Sequence, residues 1–264
     1  MTPLSRWNIA VGNCFFRYRN TLFPVLFALA VLVSRPRILL GSPVLDRVLA
    51  ACGVVVALSG EAIRLVTIGY EYIERGGKEG KVYASHLVEG GVYALTRNPM
   101  YVGNALIAIG VVMAAGSPLM YAVVLPFFLF VYQALVATEE GYLRARFGED
   151  YVQYCARVSR FLPSLRRINP TLSGIRYDWR CAVRKELSTL AGLLSGLILL
   201  PVWRTYFLED FDAAKAKAPA ALLWALVVLI LYGVLVYLKT RRRLFYAREE
   251  RVGVTERSAR AGRS

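Results

Sequence analysis

From Tyr101 to Thr138 the sequence carries no charged side chain. A helix needs about 20 apolar residues to cross a hydrocarbon core. This stretch holds enough for nearly two crossings. Gly116-Ser117-Pro118 interrupts it near its middle. Gly and Pro punctuate helices, and the interruption leaves room only for a short turn. The spacing therefore predicts two membrane helices joined as a hairpin.

Four more stretches fit the same template. Thr21 to Leu40 is interrupted by Arg35-Pro36-Arg37, and Leu45 to Ile68 carries Glu61 and Arg64. Leu187 to Phe207 follows, and Ala220 to Leu238 is the cleanest. The expected fold is an all-α membrane protein of about six transmembrane helices. Composition agrees: 56% of the chain is hydrophobic, where soluble proteins have about 45–50%. Mean hydropathy is +0.45.

The chain has 33 Lys and Arg against 18 Asp and Glu, a net charge of +15. In a membrane protein such an excess sets topology and meets anionic headgroups, so no nucleic-acid partner is expected. Arginines precede the first span, crowd residues 139–186 and open the tail at Arg241-Arg242-Arg243. The turn at 116–118 is uncharged, and the loop expected near 209–218 is balanced. This pattern predicts both termini in the cytoplasm, in a bacterial-type inner membrane. Arg35 and Arg37 are the exceptions, on the outer side. No cleavage site follows the first span, which reads as an uncleaved helix. Four scattered cysteines (Cys14, Cys52, Cys155, Cys181) and one histidine offer no short-spaced ligand set for zinc. No metal or disulfide is expected.

The chain divides into five parts. Residues 1–80 hold helices 1 and 2 with a loop, and 81–165 hold the hairpin and its polar flanks. Residues 166–186 form a basic linker or surface helix. Residues 187–240 hold helices 5 and 6, and 241–264 a basic, disordered tail. Within the first loop, Glu71, Glu74 and the stretch RGGKEGKV read as a solvated turn or a lid.

Two constellations carry candidate chemistry. The first is YALTRNPMYVGN, Tyr93 to Asn104. Pro99 disfavours helix at Asn98 and suits a first helical turn. Arg97 and Asn98 should therefore sit at the start of helix 3, where free N–H groups favour an anion. Gly90-Gly91 and Gly103 allow close backbone approach to a ligand or another helix. A plainer account has Arg97 snorkelling to headgroups and Tyr101 anchoring at the interface. The second is the Glu139-Glu140 pair, read as the end of helix 4. There the two acids would oppose the helix dipole, so stability does not account for them. The hairpin returns them to the same face as Arg97. Pairing with Arg144 or Arg146 across helical turns is the plainer alternative. Glu61 and Arg64, at i and i+3, either line the pocket or neutralise one another.

Taken together, these stretches resemble the integral-membrane methyltransferases, which include isoprenylcysteine carboxyl methyltransferase and the phospholipid N-methyltransferases. The resemblance rests on Leu87-Val88, Gly91, Tyr93, Arg97-Asn98-Pro99, Tyr101 and Gly103. It continues after one hairpin with Glu139-Glu140, Leu143, Phe147-Gly148, Tyr151 and Tyr154. It covers residues 80–163. Asn98 stands where the isoprenylcysteine enzymes carry His, as in the phospholipid enzymes. Ser85 occupies the place of another family histidine, with His86 one residue late.

The resemblance implies S-adenosylmethionine as cofactor, in a cytoplasmic pocket, and a membrane lipid or lipid-linked acceptor. It implies catalytic roles for Arg97, Glu139 and Glu140. These three would also contact the cofactor, with His86, Leu87, Val88, Gly91, Tyr93, Asn98, Pro99, Tyr101, Gly103, Tyr151 and Tyr154. Carboxylates suit its ammonium or ribose hydroxyls, Arg97 or helix N–H groups its carboxylate, and tyrosine rings its adenine or sulfonium. Two alternatives stand beside this reading. One is an NADPH-dependent membrane reductase, since sterol reductases have a related Arg-His-Pro-x-Tyr-x-Gly segment. The other is a non-catalytic lipid-binding protein.

Overall fold

The computed structural model describes residues 15, 25–38, 41–70, 84, 86–164 and 176–240. It is all-helical across them. The elements are α1 (helical over 25–33), α2 (Pro43–Tyr70), α3 (Pro99–Ala115), α4 (Leu125–Arg157), α5 (Trp179–Leu208) and α6 (Phe211–Thr240). A 3-10 turn, Gly91–Ala94, precedes α3, and a π turn, Met120–Val124, leads into α4. The first predicted loop (71–83), Ser85, residues 165–175 and the tail lie outside the described residues.

Among the described residues four helices are long and apolar enough to cross a membrane: Pro43–Tyr70, Met120–Arg157, Trp179–Leu208 and Phe211–Thr240. The chain is an all-α membrane protein, but the six expected spans are not equal. Helix α3 has 17 residues, about 26 Å at ~1.5 Å per residue, at the short limit for a span. In the first predicted span, helix stops after residue 33. Pro36 lacks an N–H and disfavours helix before it.

The hairpin forms as expected. Gly116 ends α3 in the left-handed region (φ 63°), and its N–H donates to the Val112 carbonyl. Helix resumes at Pro118.

Three boundaries differ from expectation. Helix α4 does not end at Glu139-Glu140; it continues to Arg157, with Gly148 alone outside helical geometry (φ 54°, ψ −121°). Glu, Leu, Arg and Ala after the pair are good helix formers, and leaving the membrane does not end a helix. The two acids thus lie mid-helix, and the dipole argument at a C-terminus does not apply to them. Helix α5 starts at Trp179 rather than Leu187, because Asp178 caps it by accepting from the Cys181 N–H at 3.0 Å. So residues 179–186, expected as part of a linker or surface helix, form the first turns of α5. Helix α6 starts at Phe211, with Asp210 accepting from the Ala213 N–H at 2.7 Å. The loop expected near 209–218 shrinks to Glu209 and Asp210.

The core of the bundle is the α2–α3 contact, made by small residues. A Cβ at Gly60 would lie 2.6 Å from the Gly103 carbonyl oxygen, and one at Gly103 2.7 Å from that of Gly60. A Cβ at Gly53 would lie 2.6 Å from the Gly110 carbonyl oxygen. Without a hydrophobic drive in lipid, such close backbone packing holds membrane helices together.

Helix α5 runs antiparallel to α2 and is tied to it twice. Asp46 and Arg64 are 18 residues apart on α2, as are Glu186 and Arg204 on α5 (64 − 46 and 204 − 186). That is about five turns, or ~27 Å, so each pair faces one direction and spans a bilayer core. Arg64 pairs with Glu186 and Arg204 with Asp46. Arg204 also donates to the Ala114 carbonyl at 2.9 Å, satisfying an end carbonyl of α3.

Candidate functional site

The start of α3, the middle of α4 and the segment after α4 meet at one end of the bundle. Asn98 is the N-cap residue of α3 and Pro99 its first helical residue, as the sequence predicts. The Asn98 side chain makes no cap hydrogen bond. It donates instead to the Arg160 carbonyl oxygen at 3.2 Å and to Glu140 Oε1 at 3.4 Å. Glu140 lies between two guanidinium groups, with Arg97 at 3.6 Å and Arg160 at 2.9 Å. Glu139, one position away, accepts from the Tyr101 hydroxyl at 2.7 Å.

The loops here are fixed by main chain. The Arg97 N–H donates to the Ser159 carbonyl at 2.9 Å, and the Ser164 N–H to the Leu95 carbonyl at 3.0 Å. Thr96 Oγ1 donates to the Arg160 carbonyl at 3.3 Å. The two segments thus run side by side, which is what brings Arg160 to Glu140.

Tyr151 and Tyr154 do something other than offer open ring faces. The uncharged run of this helix ends at Thr138, thirteen residues before Tyr151, and the helix bends at Gly148 between them. Both tyrosines therefore lie beyond the apolar stretch. They are 2% and 3% exposed, packed with Leu87, Leu143, Phe147 and Cys155. The Tyr154 hydroxyl donates to the Tyr93 carbonyl at 2.7 Å. Burial pushes both phenols up, so they stay protonated. They clamp the 87–95 segment against the end of α4. Arg146 and Arg157 reinforce this clamp, donating to the Ala84 carbonyl at 3.0 Å and pairing with Glu89 at 2.8 Å.

The predicted residues therefore sort into groups. Arg97, Asn98, Pro99, Tyr101, Glu139 and Glu140 come together at one mouth. Leu87, Tyr93, Tyr151 and Tyr154 belong to the clamp beside it. Gly91 has φ 54° and is buried at the start of the 3-10 turn, and Val88 is half-buried nearby in sequence. His86 is exposed. Gly103 is packed against Gly60 and the Arg64 stem; its missing side chain serves the α2–α3 contact. Glu140 pairs with Arg97 and Arg160 rather than with Arg144 or Arg146.

Arg160 is the participant that sequence reasoning missed. Its signal was a basic residue three positions after the helix that carries the tyrosines, ahead of Phe161. Glu61 and Arg64 do neutralise one another, at 3.3 Å. Arg64 is then drawn into a buried set with Glu186, Asn104 and Thr189.

Two donors at the mouth are left over. Arg97 Nε and Arg160 Nε are buried and have no hydrogen-bond partner among the described residues. An unpaired buried donor costs about 1–3 kcal/mol, more when charged. The mouth therefore offers positive donors to an anionic group and the carboxylates of Glu139 and Glu140 to a cationic or hydroxyl-bearing one.

Comparison with known proteins points to the same segment. Residues 48–150 match the family described as phospholipid methyltransferase. The protein-S-isoprenylcysteine O-methyltransferase of Schizosaccharomyces pombe is 39% identical over 80 residues, covering 29% of this chain and 33% of that protein. The cobalt-zinc-cadmium resistance protein CzcN of Cupriavidus metallidurans is 35% identical over 79 residues, 30% of this chain and 36% of that protein. The chain thus spans about a third of the length of these curated relatives. No solved structure matches. The family match takes in Arg97 and Glu140, and the yeast relative supports the same resemblance to the membrane methyltransferases.

Proposed function

We propose that this chain transfers a methyl group from S-adenosylmethionine to a membrane-embedded lipid or lipid-linked acceptor, by O-methylation of a carboxylate or N-methylation of a headgroup amine. The observation that carries the reading is Glu140 held between Arg97 and Arg160, beside Asn98, at the mouth of the hairpin. Arg97, Asn98 and Glu140 fall inside residues 48–150, the stretch that matches the phospholipid methyltransferase family, and Arg160 lies ten residues beyond it. The donor set fits the cofactor. The free Nε groups of Arg97 and Arg160 suit its carboxylate, and Glu140 suits its ammonium or a ribose hydroxyl.

When bound, S-adenosylmethionine supplies a methyl group already activated by a positive sulfur. The protein's task is then alignment and exclusion of water. Holding both partners in register is worth about 7–11 kcal/mol. The main-chain pairing of Arg97 with Ser159 and of Ser164 with Leu95 gives the mouth that rigidity. The apolar faces of α3 and α4 leave the acceptor in a dry environment. Glu139, oriented by the Tyr101 hydroxyl, is the group placed to take a proton from an amine. A carboxylate acceptor needs no base. The basic distribution favours a mouth open to the cytoplasm, with both termini there, as in a bacterial-type inner membrane.

The test is incubation of purified protein with total lipid extract and methyl-labelled S-adenosylmethionine. Label should enter the lipid fraction with the parent and not with Glu140→Ala. Label-free lipid across lipid classes, from protein that binds the cofactor, would exclude the acceptor class proposed.

A further inference from the structure

We propose that the opposite end of the bundle carries a second binding site, for the phosphodiester headgroup of an anionic membrane lipid, built on Arg35 and Arg37. A cavity of about 410 Å³ lies there, lined by Arg35, Pro36, Arg37, Ile38, Phe207 and Leu208. That volume falls in the ~300–1,000 Å³ range of small-ligand sites. The cavity lies at the other end of α3 and α5 from Arg97 and Glu140, so it is not part of the mouth.

Its chemistry is two-sided. Ile38, Phe207 and Leu208 form an apolar flank of the kind that accepts glycerol and the first acyl carbons. Arg35 and Arg37 are exposed, and neither guanidinium has a hydrogen bond or ion pair among the described residues. None of the acids that follow Leu208, which are Glu209, Asp210 and Asp212, forms an ion pair with Arg35 or Arg37 among the described residues. Glu209 pairs with Lys217 at 3.2 Å, and Asp210 accepts from the Ala213 N–H. Asp46, the acid tied to this end of α5, pairs with Arg204. The two guanidinium forks are thus free for phosphate, which they bind in bidentate fashion.

The segment is also held. The Arg37 N–H donates to the Gly116 carbonyl at 3.0 Å, and Pro36 is buried. A tethered extended segment with a fixed Pro keeps the arginines where they stand, unlike side chains on a loose loop. Charge distribution adds a separate argument. Under the sidedness that the other basic residues set, Arg35 and Arg37 lie on the face where Lys and Arg are depleted. A headgroup phosphate gives them a partner there.

The experiment compares the parent with Arg35→Gln/Arg37→Gln in nanodiscs of phosphatidylcholine, with and without phosphatidylglycerol of the same acyl chains. The readouts are thermal unfolding and the amount of phosphatidylglycerol retained after extraction. The parent should be stabilised by phosphatidylglycerol and retain it, and the double variant should lose the part of both due to this site. Arg35→Lys/Arg37→Lys, which keeps the charge without the forks, should fall between them and guards against a folding defect of the Gln variant. Equal stabilisation and retention in parent and both variants would overturn the proposal. So would inorganic phosphate reproducing the full effect in phosphatidylcholine discs, which would mark a free-anion site. S-adenosylmethionine binding should be the same in all three proteins, since the mouth is at the other end.

Discussion

Arg64 and Arg97 both pair with carboxylates, and they are held in different ways. Arg64 lies within the bundle, its side chain 10% exposed. It meets Glu61, Glu186, Asn104 and Thr189, all from the helices α2, α3 and α5. Arg97 lies where a helix begins, its carboxylate partner Glu140 is shared with Arg160, and its own Nε has no acceptor among the described residues. The first cluster joins α2, α3 and α5 and belongs to the bundle's cohesion. The second is built partly from loops and leaves donors in hand, as a binding site must. The same ion pair chemistry thus serves structure or function according to whether its valences are filled from within.

That contrast can be broken by mutation. Arg64→Ala leaves Glu186 buried without its partner, and breaking such a pair costs about 3–5 kcal/mol. The expected result is loss of well-folded protein, read as a large fall in melting temperature in detergent. Gly60→Leu should do similar damage, because the Gly103 carbonyl occupies the space its Cβ would need. Glu140→Ala should leave the melting temperature near that of the parent. It should remove the stabilisation that saturating S-adenosylmethionine gives, about 2.7 kcal/mol at a hundred times Kd.

Arg160→Ala sharpens the comparison. If its guanidinium helps hold the cofactor, binding should weaken by about 1.5–3 kcal/mol, the worth of a hydrogen bond to a charged group. Tyr101→Phe removes the donor to Glu139 and should cost about 1.5 kcal/mol, the lower end of that range. The loss should appear in turnover of an amine acceptor more than in cofactor binding. His86→Ala, at an exposed position, should change stability by less than about 0.5 kcal/mol.

What was legible in the sequence was local or repeated over short spacing. Pro99 announces the start of α3, and Gly116 the turn that returns Glu140 to Arg97. What was not legible was pairing over distance. Arg64 finds Glu186 across 122 positions and Arg204 finds Asp46 across 158, and neither match has a local signature. Arg160 belongs to the same class, since it reaches Glu140 only because Arg97 and Ser159 pair through their main chains. The starts of α5 and α6 were hidden for another reason. Apolar runs report where lipid begins, whereas Asp178 and Asp210 set where helix begins. Gly103 was placed in the right motif with its contact unresolved, and it faces a neighbouring helix.

Binding decides whether the Arg97–Glu140–Arg160 cluster receives S-adenosylmethionine. Calorimetric titration of the cofactor into detergent-purified parent, Glu140→Ala and Arg97→Ala tests it directly, with folding of each checked by its melting temperature. If the cluster holds the cofactor, the parent binds it with micromolar affinity and both folded variants lose it. No binding by folded parent up to millimolar cofactor, or unchanged binding in the variants, would contradict that role.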